Sequence, residues 1–252
     1  MSLLEVEHCT IRFGGLTAIS DLNFTVEPGI IAGLIGPNGA GKTTAFNLIT
    51  GIYHPTEGAV NFQGKNVSKL KPHEINRAGI ARTFQNIRLF KNMTVLQNVT
   101  VAMHRITLAS PWHFLLRTNT YKKNQEEVEA EALKLLDTFN LTSFKDEDAS
   151  ALAYGQQRRL EIVRAMATGP QLLLLDEPAA GMNPNEKAQL KELIRRVRNE
   201  FKMTILIIEH DMNVIMDICE KIAVLDYGKK IAEGTPEQIK ADPKVIKAYL
   251  GE

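Results

Sequence analysis

The stretch that decides the fold is Gly36-Pro37-Asn38-Gly39-Ala40-Gly41-Lys42-Thr43. It fits G-x-x-x-x-G-K-[ST], a loop in which glycines let backbone amides converge on phosphate oxygens. A short apolar run, 30–35, precedes it and a helical pattern, 43–49, follows it, as such a loop requires. We therefore expect residues 36–43 and Thr44 to bind a nucleoside triphosphate, with Lys42 at the β- and γ-phosphates and the Thr43 hydroxyl on Mg²⁺.

A pair of carboxylates follows another apolar run. Leu172 to Leu175 read as a buried strand, and Asp176 and Glu177 come directly after it. Ligands of open α/β sheets bind at the carboxyl ends of the strands. Asp176 is therefore predicted to hold Mg²⁺, and Glu177 is predicted to act as general base or to position the attacking water.

Elements alternate outward from these two motifs. Helical and strand-like patterns follow one another from 156 to 226, which predicts βαβ units and a mainly parallel sheet. Alternating apolar residues at 3–8, 22–26 and 56–64 predict an N-terminal antiparallel β subdomain. The predicted fold is α/β: a P-loop NTPase core, about 1–85 and 156–252, with an inserted helical subdomain, about 86–155.

Composition narrows the functional classes. The 252 residues include 30 basic and 29 acidic side chains, a balance that gives no reason to expect a nucleic-acid partner. Cys9 and Cys219 fit no metal or redox spacing and are expected to be free thiols. No signal peptide and no apolar run of about 20 residues is visible, so we expect a cytoplasmic protein that reaches a membrane only through a partner.

Five further motifs resemble those of ABC-type ATPases and occur along the chain in the order typical of that family. Leu152-Ala-Tyr-Gly-Gln-Gln-Arg158 resembles the signature, usually Leu-Ser-Gly-Gly-Gln. Gln85 resembles the Q-loop glutamine, and His210 resembles the switch histidine. The stretch 177–183 resembles the segment from the Walker B glutamate through the D-loop. Phe13 falls where the family places an aromatic ring against adenine.

This resemblance implies further site residues and a dimer. Gln85 and His210 would join Glu177 in catalysis, and Gln85 would also contact Mg²⁺. Two such domains pair head to tail, so the signature residues Ala153, Tyr154, Gly155 and Gln156 would contact ATP held by a partner chain. Three departures stand out: Ala153 replaces serine, Tyr154 replaces glycine, and Asn183 replaces the D-loop aspartate. A lost neutral hydrogen bond is worth only about 1 kcal/mol, so activity is expected to survive.

The departures themselves resemble the LivG-type ATPase subunits of branched-chain amino acid importers. The matching segments are 82–90, 104–124, 152–162, 177–184, 234–239 and 248–251. That resemblance implies a second ATPase subunit, transmembrane permeases and a periplasmic amino acid-binding protein as partners, and a place on the cytoplasmic face of the inner membrane. Leu89, Phe90 and Met93 would form an apolar socket for a permease helix, or would pack the insertion on the core. Trp112 to Leu116 would face the membrane or pack in the core.

Other functions remain open at this point. A urea or short-amide importer would use the same motor with another cargo. A lipopolysaccharide-type exporter generally keeps the serine-glycine signature that this chain lacks. A soluble ABC protein of DNA repair or translation usually carries two nucleotide domains or long coiled-coil or zinc insertions, and none is visible. A nucleotide kinase would leave the signature and the switch histidine unexplained.

Overall fold

The computed structural model describes residues 2–103 and 119–250, and the side chains of 119–122 and Leu250 are not described. Trp112 to Leu116 and most of the segment 104–124 therefore lie outside the described residues. Contacts between residues group the chain into two compact units. The first is Met1–Gln85 with Gln171–Glu252, and the second is Asn86–Pro170. The division inferred from the sequence, with junctions near 85 and 155, remains a prediction about where the subdomains end.

The first unit contains both strands and helices. Its strands are β1 (Leu4–Phe13), β2 (Leu16–Val26), β3 (Ile31–Ile35), β4 (Glu57–Phe62), β5 (Lys65–Asn66), β6 (Ile80–Arg82), β7 (Leu172–Asp176), β8 (Thr204–Ile208), β9 (Lys221–Asp226) and β10 (Lys229–Gly234). Its helices are α1 (Lys42–Ile49), α2 (Pro72–Ala78), α6 (Pro184–Glu200), α7 (Met212–Ile218), α8 (Pro236–Ala241) and α9 (Pro243–Leu250). The second unit contains α3 (Val95–Met103), α4 (Asn119–Thr138) and α5 (Tyr154–Met166).

The larger sheet of the first unit has the order β10-β9-β3-β8-β7-β6. Its pairs are parallel except for β10, which runs antiparallel to β9 at one edge. Strands β3, β7 and β8 are buried at every position, which explains their unbroken apolar sequences. The predicted mainly parallel α/β core is confirmed.

The smaller sheet is antiparallel, with the order β2-β1-β4-β5. It confirms the predicted N-terminal β subdomain, with Gly14 and Gly15 in the turn between β1 and β2. The pairing of β1 with β2 shifts register between Val6 and Cys9, again before Ile11, and a third time directly after Ile11. Bulges of this kind bend the strands and allow them to curve over the core.

Helix starts follow rules that can be read from the sequence. Helix α8 begins with a capping box: Thr235 accepts from the backbone N–H of Gln238, whose side chain accepts from the Thr235 N–H. Asn183 caps α6 in the same way, accepting from the N–H groups of Asn185 and Glu186 at 3.0 Å. Aspartate and asparagine are equally good at this position. The replacement of the D-loop aspartate therefore leaves the helix cap intact.

The second unit is helical, and α3, α4 and α5 pack on one another. Its core holds a buried ion pair, Arg158 to Glu161 at 2.7 Å, and Glu161 also accepts the Arg88 backbone N–H. Burial of two charges is tolerated only where they pair and their remaining hydrogen-bonding groups are satisfied. No helix within 2–103 or 119–250 is both long and apolar enough to span a bilayer.

The turn between β9 and β10 yields a stability prediction. Gly228 has φ 76°, and a Cβ atom there would lie 2.5 Å from the Ala18 carbonyl oxygen. Gly64 has a similar φ of 71° with nothing within 4 Å of the added atom. We expect Gly64→Ala to lower the free energy of unfolding by about 1 kcal/mol, through backbone strain alone. Gly228→Ala should lower the free energy of unfolding by a further ~1–3 kcal/mol because the added Cβ atom overpacks the turn. Urea denaturation measures both losses. Equal losses in the two variants would contradict the predicted clash.

Candidate nucleotide site

The carboxyl ends of neighbouring parallel strands bring the predicted catalytic segments together. Strand β8 lies between β3 and β7, and Ile208 at its end is level with Leu34 on one side and Asp176 on the other. The phosphate-binding loop leaves β3, Asp176 and Glu177 end β7, and His210 follows β8. Chemistry-bearing residues that are far apart in the sequence thus meet at one edge of the sheet.

The loop between β3 and α1 has the backbone geometry that its glycines predict. Gly36, Gly39 and Gly41 all have positive φ, and a Cβ at Gly36 would lie 2.1 Å from the Leu225 carbonyl oxygen. The Gly228 N–H donates to the Ala40 carbonyl at 2.9 Å, which fastens the β9–β10 turn against the loop. The conformation therefore depends on contacts with β9 as well as on local sequence.

Lys42 lies inside this loop. Its ammonium donates to the carbonyls of Gly36 at 2.7 Å and Pro37 at 2.9 Å. Burial lowers the pKa of the Lys42 ammonium, while the carboxylates of Glu177 and Asp176 act in the opposite direction. The loop thus holds a poorly hydrated positive charge ready to interact with a phosphate.

Glu177 is held by the two residues that the family resemblance assigned to catalysis. Its φ is 47°, an uncommon value for a residue with a side chain. The Gln85 side-chain amide donates to Glu177 Oε2 at 2.9 Å, and His210 Nε2 lies 2.5 Å from Glu177 Oε1. Both carboxylate oxygens are therefore oriented by side chains from the ends of other strands.

Asp176 is more deeply buried than Glu177 and has a partner that sequence analysis missed. Arg82 Nη2 donates to Asp176 Oδ2 at 2.7 Å, and the two side chains are 7% and 3% exposed. The Asp176 backbone N–H donates to the Thr83 hydroxyl at 3.3 Å. The end of β6 therefore contributes to the site through Arg82 and Thr83, in addition to Gln85.

An open cleft of about 510 Å³ lies beside the phosphate-binding loop. Its walls include the loop from Asn38 through Thr44 together with Gln85, Glu177 and His210. Leu16 and Tyr227 also line it, and neither was predicted. Phe13 packs edge-on against Tyr53 at 5.0 Å between ring centroids. The expected contact of Phe13 with adenine stays a prediction.

Glu209 is a further buried carboxylate beside the site, also missed by sequence analysis. It accepts the Ala179 backbone N–H at 2.6 Å and the His210 N–H at 3.1 Å. Burial raises the pKa of Glu209, hydrogen bonds from these amides and from Asp211 oppose that rise, and the charge of Glu177 adds to it. One side chain thus ties the segment after β7 to the segment after β8.

The signature residues lie in the second unit, at the start of α5. Ala153 is the residue before the helix, Tyr154 and Gly155 begin it, and the Gln156 side chain accepts the Ala153 N–H at 2.9 Å. Alanine has no hydroxyl with which to bind a ligand. The backbone N–H groups and the positive end of a 13-residue helix remain for that purpose.

The predicted permease-facing loop is also part of the second unit. Asn98 is fully buried and its side-chain amide donates to the carbonyls of Phe90 and Thr94, both at 3.0 Å. Phe90 is exposed, and the Arg164 guanidinium lies 5.1 Å from its ring centroid. Leu89 and Met93 are half-buried. The loop is therefore ordered by Asn98 and presents Phe90 on its surface.

Comparison with known proteins agrees with this geometry. Residues 19–180 match the model of the ABC transporter family, and residues 229–252 match the model described as branched-chain amino acid ATP-binding cassette transporter. The crystal structure of the ADP conformation of MJ1267, an ATP-binding cassette of an ABC transporter, superposes with a TM-score of 0.86. It is 34% identical in sequence, and the match covers 100% of both chains.

Two curated relatives are similar over nearly their whole length. The high-affinity branched-chain amino acid transport ATP-binding protein BraF of Pseudomonas aeruginosa is 49% identical over 250 residues, covering 99% of this chain and 98% of BraF. The protein LivG of Escherichia coli K12, which has the same description, is 47% identical with the same coverage. The chain belongs to the ABC transporter family, as one of its ATP-binding and ATP-hydrolysing cassettes.

Proposed function

We propose that this chain is the ATP-hydrolysing subunit that drives import of branched-chain amino acids through a membrane permease. The match of residues 229–252 to the branched-chain amino acid cassette model carries the choice of cargo, and the similarity to BraF and LivG supports it. The hydrolytic role is supported by Glu177, whose carboxylate is oriented by Gln85 and His210 beside the phosphate-binding loop.

The proposed chemistry assigns one task to each group. Lys42 exchanges its carbonyl partners for the β- and γ-phosphates and offsets charge on the transferring phosphoryl group. Glu177 accepts a proton from the attacking water or orients that water in line. His210 and Gln85 keep the Glu177 carboxylate in position. Gln85 also transmits the conformational changes of the hydrolysis cycle to the permease.

Mg²⁺ fits the side chains present at the site. The hydroxyl of Thr43, the carboxylate of Asp176 and the amide oxygen of Gln85 are the oxygen donors that this cation prefers. Thr43 and Gln85 line the same cleft. When bound, the cation would neutralise charge on the β- and γ-phosphates. These three residues would hold it.

The proposed partners are the other subunits of a transporter, because one chain supplies only part of each ATP site. This sequence holds one phosphate-binding loop and one signature, and a second ATPase subunit, identical or related, would complete each ATP site. Ala153, Tyr154, Gly155 and Gln156 would then contact the nucleotide of the partner through backbone N–H groups. Transmembrane permeases would dock on the loop that presents Phe90, placing the chain on the cytoplasmic face of the inner membrane. A periplasmic amino acid-binding protein would deliver the cargo.

Glu177→Gln tests the hydrolytic role. Glutamine keeps the size of the side chain and loses the base, so we expect turnover to fall about 10²- to 10⁴-fold with nucleotide binding retained. Lys42→Ala should instead weaken binding itself by about 10- to 100-fold, because a charge-assisted contact is lost. Phosphate release and titration with a fluorescent ATP analogue separate the two effects. Near-normal turnover by Glu177→Gln would exclude the assigned role.

Glu209→Gln tests the buried link between the two catalytic segments. Because burial raises the Glu209 pKa, the folded wild type binds a proton at a higher pH than the unfolded chain does. Its stabilising contribution is complete below the ordinary pKa of about 4.3 and is lost as pH rises through the folded-state pKa. Glutamine does not titrate, so the stability of Glu209→Gln relative to wild type should increase as pH rises from about 4 to 7. Urea denaturation across this range measures the trend.

The control for this pH series is Glu192→Gln. Glu192 is exposed on α6, so the substitution removes the same charge without removing a buried hydrogen-bond acceptor. A relative stability of Glu209→Gln that falls with rising pH would contradict the predicted direction. A trend identical to that of Glu192→Gln would show that burial of Glu209 does not control it.

Cargo is tested by uptake of labelled leucine in the source cells, with native protein or Glu177→Gln. We expect the substitution to abolish the uptake that depends on this transporter, since the permease then lacks its motor. Glu192→Gln, produced at the same level, should leave uptake unchanged. Leucine uptake unaffected by Glu177→Gln, in cells without another leucine carrier, would refute this cargo. Labelled urea or short amides would then be assayed.

A further inference from the structure

Arg82 is a buried cation at the end of β6 to which the proposed mechanism gives no task. Its guanidinium contacts two aromatic rings, 5.4 Å from the centroid of Phe46 and 5.2 Å from that of Phe84. Cation–π contacts with two rings restrict the planar group, which makes its hydrogen bonds from N–H groups along its edge. The conformation of the Arg82 side chain is therefore restricted, and so is the set of groups that it can hydrogen-bond.

The edge of the guanidinium contacts two elements of the site at once. Nη2 donates to Asp176 Oδ2 at 2.7 Å, at the end of β7. Nη1 donates to Asn47 Oδ1 at 2.7 Å and to Thr50 Oγ1 at 3.3 Å, both on the segment formed by α1 and its cap. Helix α1 begins with Lys42 and Thr43. Arg82 thus joins the carboxylate of Asp176 to the helix that carries the phosphate-binding groups.

The arrangement is not what fold stability alone would select. Arg82 Nε is buried without a hydrogen-bond partner among the described residues. A buried ion pair usually contributes less to stability than well-packed apolar side chains of the same volume. Carboxylates that bind metal ions are, however, commonly oriented by hydrogen bonds from neighbouring groups, as Arg82 orients Asp176.

We propose that Arg82 is a positioning residue for the divalent cation of the bound nucleotide. It holds the Asp176 carboxylate at a fixed place and orientation relative to α1, so that Asp176 and Thr43 bind one cation. The inference rests on the proposed role of Asp176 as a Mg²⁺ ligand. Lysine at this position would keep the charge, but a single ammonium cannot reproduce the two directed arms of the guanidinium.

The test is binding of a fluorescent ADP analogue to the purified chain, titrated with Mg²⁺ and repeated in EDTA. We expect Arg82→Lys to raise the half-saturating Mg²⁺ concentration about 10- to 100-fold and to leave affinity in EDTA unchanged. Arg195→Lys, the same substitution on α6 outside the cleft, should match wild type in both measurements. An unchanged or lower Mg²⁺ requirement in Arg82→Lys would overturn the proposal.

Two further variants keep the outcome decisive. Asn47→Ala removes the shorter of the two hydrogen bonds from Arg82 to the α1 segment while the Arg82–Asp176 pair stays, and it should also raise the Mg²⁺ requirement. If Arg82→Lys does not fold, an unchanged requirement in Asn47→Ala overturns the proposal. Asp176→Asn tests the premise: if it binds Mg²⁺-nucleotide like wild type, the assigned metal ligand is wrong. If Asp176→Asn loses the Mg²⁺ effect and Arg82→Lys does not, only the inference about Arg82 fails.

Discussion

Parallel pairing of β6, β7, β8 and β3 is the constraint on which the site depends. The backbone hydrogen bonds of these strands place Arg82, Asp176 and the ends of β8 and β3 in consecutive positions along one edge. Arg82 pairs with Leu174, and its side chain reaches Asp176 two residues further along β7. Side chains alternate between the two faces of a strand, so a slip of one residue in β7 would put Leu175 in the place of Asp176. Register of the sheet, set by apolar packing on both faces, therefore determines the chemistry.

The carboxyl-terminal edge of the sheet concentrates charge on side chains that are largely buried. Lys42, Asp176, Glu177 and Glu209 are each less than a tenth exposed. Coulombic interactions and hydrogen bonds are stronger there than in water, and an unpaired group would be costly for the same reason. Each of these side chains accordingly has a partner, contributed by backbone amides, backbone carbonyls or another strand end. A site ordered in this way does not need to reorganise when charge develops during phosphoryl transfer.

The site residues and strands that could be predicted are those with a recognisable pattern in the local sequence. The phosphate-binding loop, Asp176 and Glu177 were recognisable because a buried strand and its polar end are contiguous in sequence. Arg82 and Glu209 were missed because their partners lie 94 and 30 residues away, and nothing in their local sequence predicts burial. Strand β10 was missed for a different reason. Its sequence, KKIAEG, has charges at both ends and only intermediate burial, because it pairs with one neighbour at the edge of the sheet.

The departures from the usual motifs have a common physical character. Alanine at 153 removes a hydroxyl, yet Ala153 still precedes α5 in extended conformation and the Gln156 side chain still satisfies its N–H. Asparagine at 183 removes a negative charge, yet it caps α6 with both expected hydrogen bonds. In each case the backbone at the helix start is hydrogen-bonded without the side chain that the family usually has there. Backbone N–H groups at a helix start bind phosphate without any side chain, so the start of α5 keeps that capacity without the usual serine.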